Sequence, residues 1–523
     1  MIRFRGIAAL SAALLILLSA CSSGGSSQSS GAAKPASGGN LVFDFATAPL
    51  DLDPSTSQDN DTSMQMWNAW FQYLIQPKSS GPGYAPMLAS SYTISGNGLS
   101  YMFHIRPGVK FSNGQPLTAA DVVFSLKRDI QPSISLLNFL NTYILSISAP
   151  SSSTVAVKLK KSWPGLLPDL ASPNAAIYPQ GAFTAKTAAA FFTRHPVGTG
   201  PFALASEVPN TTYVVTRNTH YWDTAAKPHL DKITFQIVPE DTTRATAVLG
   251  GQADIAESPP ANEVPSFTSN SSVRVSMVTS SIVELIAFNL KKFPFTNQKV
   301  RQAVSLALNR AAVVKSGLFG YGVPATTFLV GPAKDTFQNT SLGLYPFDLA
   351  KAQQLMKASG VKTPVSVPFE ISTGTAQQAI LTIAQADLAK IGINLRPISK
   401  DSASVDNDII GGKYTMNTTF WGDVSADPSI QPLFAIDPAY CCNAYFTSLR
   451  DPGLVSLARQ AVTTSNRAQA QKLFNQVQVK FAQDGSLVPL YYPKLIHLMS
   501  SHVTGFNVNA YGFYNWAQMG LSG

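Results

Sequence analysis

The sequence predicts an α/β fold with mostly buried sheets. Two stretches carry that reading. Ile233 to Val238 reads as a strand, Asp241 to Leu249 as a helix closed by Gly250-Gly251, and Ala253-Asp254-Ile255 as the next strand, which is a βαβ unit. Further on, Ile380, Ala384, Leu388 and Ile391 share a helical face that stops at Gly392, and Ile393 to Ile398 follows as a strand. Helix, glycine, strand is the order of a layered α/β domain. No internal repeat is present.

The other elements follow in chain order. Tyr101, Phe103 and Ile105 alternate with Met102, His104 and Arg106, the period of a strand. Pro107-Gly108 turns the chain, Val109-Lys110-Phe111 returns, and Ser112-Asn113-Gly114 turns again. Thr118 reads as an N-cap with Asp121 three residues on, followed by Val122, Leu126 and Ile130 at helical spacing. Val155, Val157 and Leu159 form another alternating strand. Phe288 precedes a helix from about Asn297, with Val300, Val304, Ala307 and Ala311 on one face.

Composition excludes several classes. Charged residues make up 13% of the 523 residues and hydrophobic residues 45%, against roughly 25% charged in an average soluble domain. That apolar content rules out intrinsic disorder. Three cysteines in a chain this long rule out a disulfide mini-scaffold. The length implies two or three lobes. The net charge of +9 comes from scattered basic residues. The densest cluster, Lys158, Lys160 and Lys161, reads as a solvated strand edge, so no nucleic-acid partner is expected.

The first forty residues are an address and a leash. Arg3 and Arg5 precede a short apolar run from Ile7 to Leu18, which ends in Leu18-Ser19-Ala20-Cys21. The run is too short for a mature transmembrane helix, and small residues directly before a cysteine resemble a bacterial lipobox. Residues 1–20 are then a lipoprotein signal peptide, with acylation at Cys21. Ser22 to Gly39 is rich in Ser, Gly and Ala and behaves as a flexible tether. Two acyl chains on Cys21 would give the stable anchoring that one cannot.

Catalytic signatures are missing. The six histidines are dispersed, without HExxH spacing, and there is no GxSxG elbow or P-loop. Pro196 to Pro201 carries two glycines, but its second proline removes an N–H that a phosphate loop needs. It reads as a turn entering a strand. Adjacent Cys441 and Cys442 lack the spacing of a metal chelate. Two states stay open for them: a vicinal disulfide or a pair of free thiols. No cofactor, no metal and no enzymatic activity are expected.

Several segments together resemble one family. They are Leu88 to Tyr92, Gly98 to Tyr101, Phe103 to Gly114, Leu117 to Ser125, Gly198 to Phe202, Arg217-Asn218, Tyr221-Trp222, Val300 to Ala303, Asn309-Arg310 and Gln385 to Ile393. In this order they are similar to the family 5 extracellular solute-binding proteins, the peptide, nickel and related receptors of ABC importers. The resemblance implies a periplasmic-binding-protein-like fold of the class II type, two α/β lobes joined by crossing strands, with an extra domain inserted in the first. Carried onto this chain, 41–75, 198–282 and 489–523 build the first lobe, 76–197 the insertion and 283–488 the second lobe. The implied protein is a monomer on the extracytoplasmic face of the cell membrane. It closes over an oligopeptide and hands it to an ABC permease and its ATPase.

The same resemblance implies the site. An Asp that follows a Trp in the second lobe pairs with the peptide α-ammonium, which points to Asp423 after Trp421. The competing role for Asp423 is a turn cap. Phe420 and Trp421 supply an apolar wall and backbone hydrogen bonds, with core packing as the competing role for both. Leu52-Asp53-Pro54 directs attention to Gln58 through Asn60. A ligand strand would lie between that stretch and Thr419–Trp421, held by main-chain hydrogen bonds. Glu284, near the expected hinge, is a further candidate unless it pairs with a structural Lys or Arg. The dipeptide receptors carry an Arg for the ligand carboxylate. The equivalent stretch here, Ile371 to Thr375, has none, which favours longer peptides or a non-peptide solute such as a sugar, opine or metal chelate.

Overall fold

A computed structural model describes residues 37–49, 51–56, 62–78, 83–131, 136–330, 337–422, 430–440 and 442–522. Two sheets share one strand. In the first, Asn40–Phe45 lies parallel to Lys232–Ile237 and to Ile255–Glu257. Thr212–Arg217 and Phe202–Val208 extend it as antiparallel strands. In the second, Ile282–Phe288 pairs antiparallel with Met416–Gly422, which meets Val365–Ser372 and then Ile393–Lys400 in parallel. The shared strand is Leu487–Ser500, paired with Ile282–Phe288 near its start and with Ile255–Glu257 and Val273–Thr279 near its end. Fourteen extended residues reach about 45 Å, enough to cross both sheets. Val273–Thr279 and Ile282–Phe288 run beside it as a second crossing, joined by Ser280-Ser281.

A separate antiparallel sheet orders Ala89–Ile94, Ser100–Ile105, Thr154–Leu159 and Ile144–Ser151. Tyr101, Phe103 and Ile105 are buried as their alternation predicts, and His104 is exposed. Helix Ala119–Asp129 packs on this sheet. Thr118 and Asp121 close a capping box, with the Thr118 N–H donating to Asp121 Oδ2 at 2.8 Å. Lys158, Lys160 and Lys161 at the end of Thr154–Leu159 are exposed.

The βαβ unit forms around helix Asp241–Leu249, with the following strand shifted to Ile255–Glu257. Buried Arg244 ties helix to sheet by donating to the carbonyls of Val238, Pro239, Glu257 and Ser258. The turn at Pro196 to Pro201 leads into Phe202–Val208, and its glycines are steric requirements. A Cβ on Gly198 would sit 1.9 Å from the Trp70 carbonyl oxygen, and one on Gly200 2.6 Å from that of Ala69.

One expected helix is shorter than its pattern. Gln298–Ala307 buries Val300, Val304 and Ala307, but Ala311 is exposed. The chain breaks at Leu308 because the Asn309 side chain accepts from Ala312 N and starts a new helix, Arg310–Gly317. The periodicity was continuous, and a cap inside it reset the phase. Among the described residues, no helix is long and apolar enough to cross a membrane.

Candidate functional site

The junction of the two sheets is built from three neighbouring strands. Thr419 stands opposite Leu285, Phe420 opposite Glu284, and Trp421 opposite Val283. Cross-strand partners share a face, so two faces can be read off. Val283, Leu285 and Trp421 join one apolar core, while Ile286, Phe288 and Met416 join another. Glu284 and Phe420 occupy the second face at its hinge end.

Trp421 is 8% exposed. Its Nε1 donates to the Phe328 carbonyl at 3.0 Å, and its ring meets Phe328 and Tyr445 edge-on. Of its two readings, core packing is what this geometry describes. Phe420 is 46% exposed and is the large apolar side chain this strand presents.

Glu284 has no ion pair with any described Lys, Arg or His, so the structural pairing considered for it is not made there. The carboxyl lies deep among its neighbours although part of the side chain still reaches solvent. Burial pushes its pKa up to about 8, because a carboxylate loses hydration that nothing replaces. Tyr491 stands across from it on the shared strand. Burial, and secondarily the Glu284 charge, push the Tyr491 hydroxyl up.

Sequence reasoning passed over Tyr445. Its hydroxyl donates to the Phe420 carbonyl. It is held there by a run of left-handed backbone, φ +53° at Asn443, +56° at Ala444, +49° at Tyr445 and +62° at Phe446. Such backbone costs L residues roughly 1–2 kcal/mol each. Local bonds offset it: Asn443 Nδ2 donates to Ser448 Oγ at 2.8 Å, and Arg450 Nη2 to Asn443 Oδ1 at 2.6 Å. Ala444 is fully buried. No glycine marks this turn, so the sequence carries no signal for it.

Among the described residues, the edge of Met416–Gly422 that faces away from Ile282–Phe288 is mostly unpaired by other strands. Among the described residues, only Met416 and Asn417 pair with Val365–Ser372. Asp423, Gln58, Asn60, Cys21 and Cys441 lie outside the described residues, as does the side chain of Cys442. The stretch before Gln58 is described. Asp53 accepts both Arg128 Nη groups, at 2.7 Å on Oδ1. Ser55 Oγ donates to Asp129 Oδ1 at 2.6 Å, and Asn174 Nδ2 to the Pro54 carbonyl at 2.7 Å. Arg128 and Asp129 of helix Ala119–Asp129, with Asn174, therefore grip the chain just ahead of Gln58. A cavity of about 890 Å³ adjoins this grip, lined by Leu52, Phe124, Arg128, Phe183 and Phe192. No residue of the three junction strands lines it, so it is distinct from the junction. No group of three or more His, Cys, Asp or Glu gathers as metal ligands among the described residues.

Two α/β sheets joined by crossing strands, with a small third sheet beside them, define a two-lobe binding protein. Residues 83–435 match the description "Bacterial extracellular solute-binding proteins, family 5 Middle", and the chain belongs to this family. It is 27% identical over 514 residues to heme-binding protein A of Haemophilus influenzae, covering 92% of each chain. It is 30% identical over 432 residues to glutathione-binding protein GsiB of Escherichia coli, covering 80% of this chain and 83% of that one. Its fold is similar to that of the periplasmic binding protein DppA of Helicobacter pylori in complex with the peptide STSA. That match has a TM-score of 0.81 and 24% identity, covering 93% and 99% of the two chains. The protein is thus the extracytoplasmic substrate-binding component of an ABC importer, a family that works with a membrane permease and its ATPase.

Proposed function

We propose that this protein captures oligopeptides between its two lobes and delivers them to its permease. The observation that carries the reading is the open edge of Met416–Gly422 beside exposed Phe420. An unpaired strand edge accepts an extended ligand through main-chain bonds and takes affinity from them without reading side chains. The Tyr445 hydroxyl already occupies the Phe420 carbonyl, so a ligand strand shares that acceptor or displaces the hydroxyl.

In this reading Asp423 pairs with the peptide α-ammonium, Thr419 to Trp421 offer main chain, and Gln58 and Asn60 face the ligand from the first lobe. Glu284 lines the floor. The lobes are 41–75 with 198–282 and 489–523, and 283–488, with 76–197 inserted. Cys21 carries the lipid and the following segment is the tether, so the receptor works as a monomer at the outer face of the cell membrane. A second reading keeps the fold and changes the cargo to a sugar, opine or metal chelate. It is favoured by the missing Arg in Ile371 to Thr375. Mass spectrometry of cargo released from natively purified protein separates the two. Peptides are expected; a sugar or a metal complex in their place would defeat the peptide reading.

A further inference from the structure

We propose that Glu284 reads a positive charge on the cargo beyond its α-ammonium. The cleft then selects solutes that carry an ammonium or guanidinium on an apolar stem. This rests on the reading that cargo lies along the junction beside Phe420. Three observations carry it. The Glu284 carboxyl has no ion-pair partner among the described residues, yet its side chain keeps a path to solvent at the junction. Its direct cross-strand neighbour is the 46% exposed ring of Phe420. Its other neighbour is buried Tyr491 on the shared strand. An acid between two aromatic rings is suited to a cation on a hydrocarbon stem, because the rings cover the stem and attract the charge.

Among the described residues, the titratable surroundings are sparse. Tyr491 faces Glu284 from the shared strand, and nothing titratable faces it from the described part of Met416–Gly422. Asp423 follows Gly422 in the chain and lies outside the described residues. Without cargo at pH 7, Glu284 is mostly protonated, since burial holds its pKa at about 8. A cation that docks beside it draws the proton off. The carboxylic acid becomes a carboxylate paired with the cation, and the proton passes to buffer. Cation binding at pH 7 therefore releases about one proton, whereas an uncharged side chain in the same place releases none.

The test is calorimetry on the full chain in two buffers of different ionisation enthalpy. The probes are Ala-Ala-Ala, the three peptides with one Ala replaced by Lys, and the peptide-free cations cadaverine and agmatine. Wild type is compared with Glu284→Gln, which has the shape of the protonated acid and so preserves the fold. The best Lys peptide is expected to bind wild type roughly ten- to a hundredfold more tightly than Ala-Ala-Ala. It should also release a proton, and both effects should vanish in Glu284→Gln. Because both peptides share the α-amine, their affinity ratio isolates Glu284. The ratio should rise about tenfold per pH unit up to 8 and level off above it. Equal binding of all four peptides with no extra proton overturns the assignment of Glu284 and leaves the peptide reading standing. Binding of cadaverine or agmatine, but of no peptide, with a proton released only in wild type, supports Glu284 and sinks the peptide reading. No Glu284-dependent binding of any probe ends the proposal.

Discussion

Two buried acids of this protein hold their protons at neutral pH, in opposite settings. Burial pushes both Asp129, at the end of helix Ala119–Asp129, and Glu284, at the sheet junction, up to about 8. Around Asp129 the polar groups are closed on one another. Ser55 donates to it, Asp53 holds Arg128 with both oxygens, and Tyr178 adds its hydroxyl to Ser55 and Arg128. Its other oxygen, Oδ2, is buried with no hydrogen-bond partner among the described residues, and Asp129 borders a small cavity lined by Leu126, Leu137, Ile147 and Val157. Around Glu284 nothing described pairs with the acid, and the side chain opens toward solvent beside exposed Phe420. The first cluster is closed within the chain except at Asp129 Oδ2 and positions a backbone segment. The second has no ion-pair partner among the described residues. A raised acid alone does not mark a site; the state of its surroundings separates a clamp from a receptor.

The largest effect is expected from opening the closed cluster. Asp53→Ala leaves Arg128 as a buried guanidinium without its carboxylate. Losing one member of a buried pair costs about 3–5 kcal/mol, to be read from urea unfolding. A loss under about 1 kcal/mol would mean that the three rings near Arg128, of Tyr178, Phe183 and Phe192, suffice to hold it.

The next effect separates the two acids by pH. Each has a folded pKa near 8 and an unfolded value of about 4. Between these the native state keeps a proton that the unfolded chain has released. Stability therefore falls as pH rises, by about 1.4 kcal/mol per pH unit per group, and the fall ends above 8. The clean window is pH 6.5–7.5. Burial raises Asp44 only to about 6 and lowers His497 to about 3, so in the native state both titrate below that window. The unfolded-state titration of His497, near about 6.5, is common to wild type and variants and cancels in their difference. Asp129→Asn and Glu284→Gln should each flatten the slope by about 1.4 kcal/mol per unit in urea titrations. Saturating Lys-containing peptide should remove the Glu284 share and leave that of Asp129. Equal response of both shares to peptide would erase the distinction between clamp and receptor.

Local elements were legible because their causes are local. The capping box at Thr118 and Asp121, the alternation of Tyr101, Phe103 and Ile105, and the helix–strand step at Gly392 are written within a few residues. The Ala311 miss had a local cause too, since Asn309 interrupts an unbroken apolar period with a cap. The juxtapositions were not legible. That Phe420 faces Glu284 depends on the register of two strands more than 130 positions apart, which no spacing encodes. The grip of Arg128 and Asp129 on Asp53 and Ser55 is of the same kind. So is Tyr445, whose placement depends on left-handed backbone at four residues that are not glycine.

That turn gives the smallest expected effect and touches the receptor side alone. Tyr445→Phe removes the hydroxyl that occupies the Phe420 carbonyl and keeps the ring packed on Trp421. One neutral hydrogen bond at a partly exposed edge is worth about 0.5–1.5 kcal/mol net, so unfolding stability should fall by no more than that. Peptide binding should respond with the opposite sign or not at all. If a ligand strand displaces the hydroxyl, the variant starts with the acceptor already free and binds Ala-Ala-Ala several-fold more tightly. If the two share the carbonyl, affinity is unchanged. Weaker binding in calorimetry would instead make the hydroxyl itself a contact for cargo, and the open edge beside Phe420 would then be only part of the site.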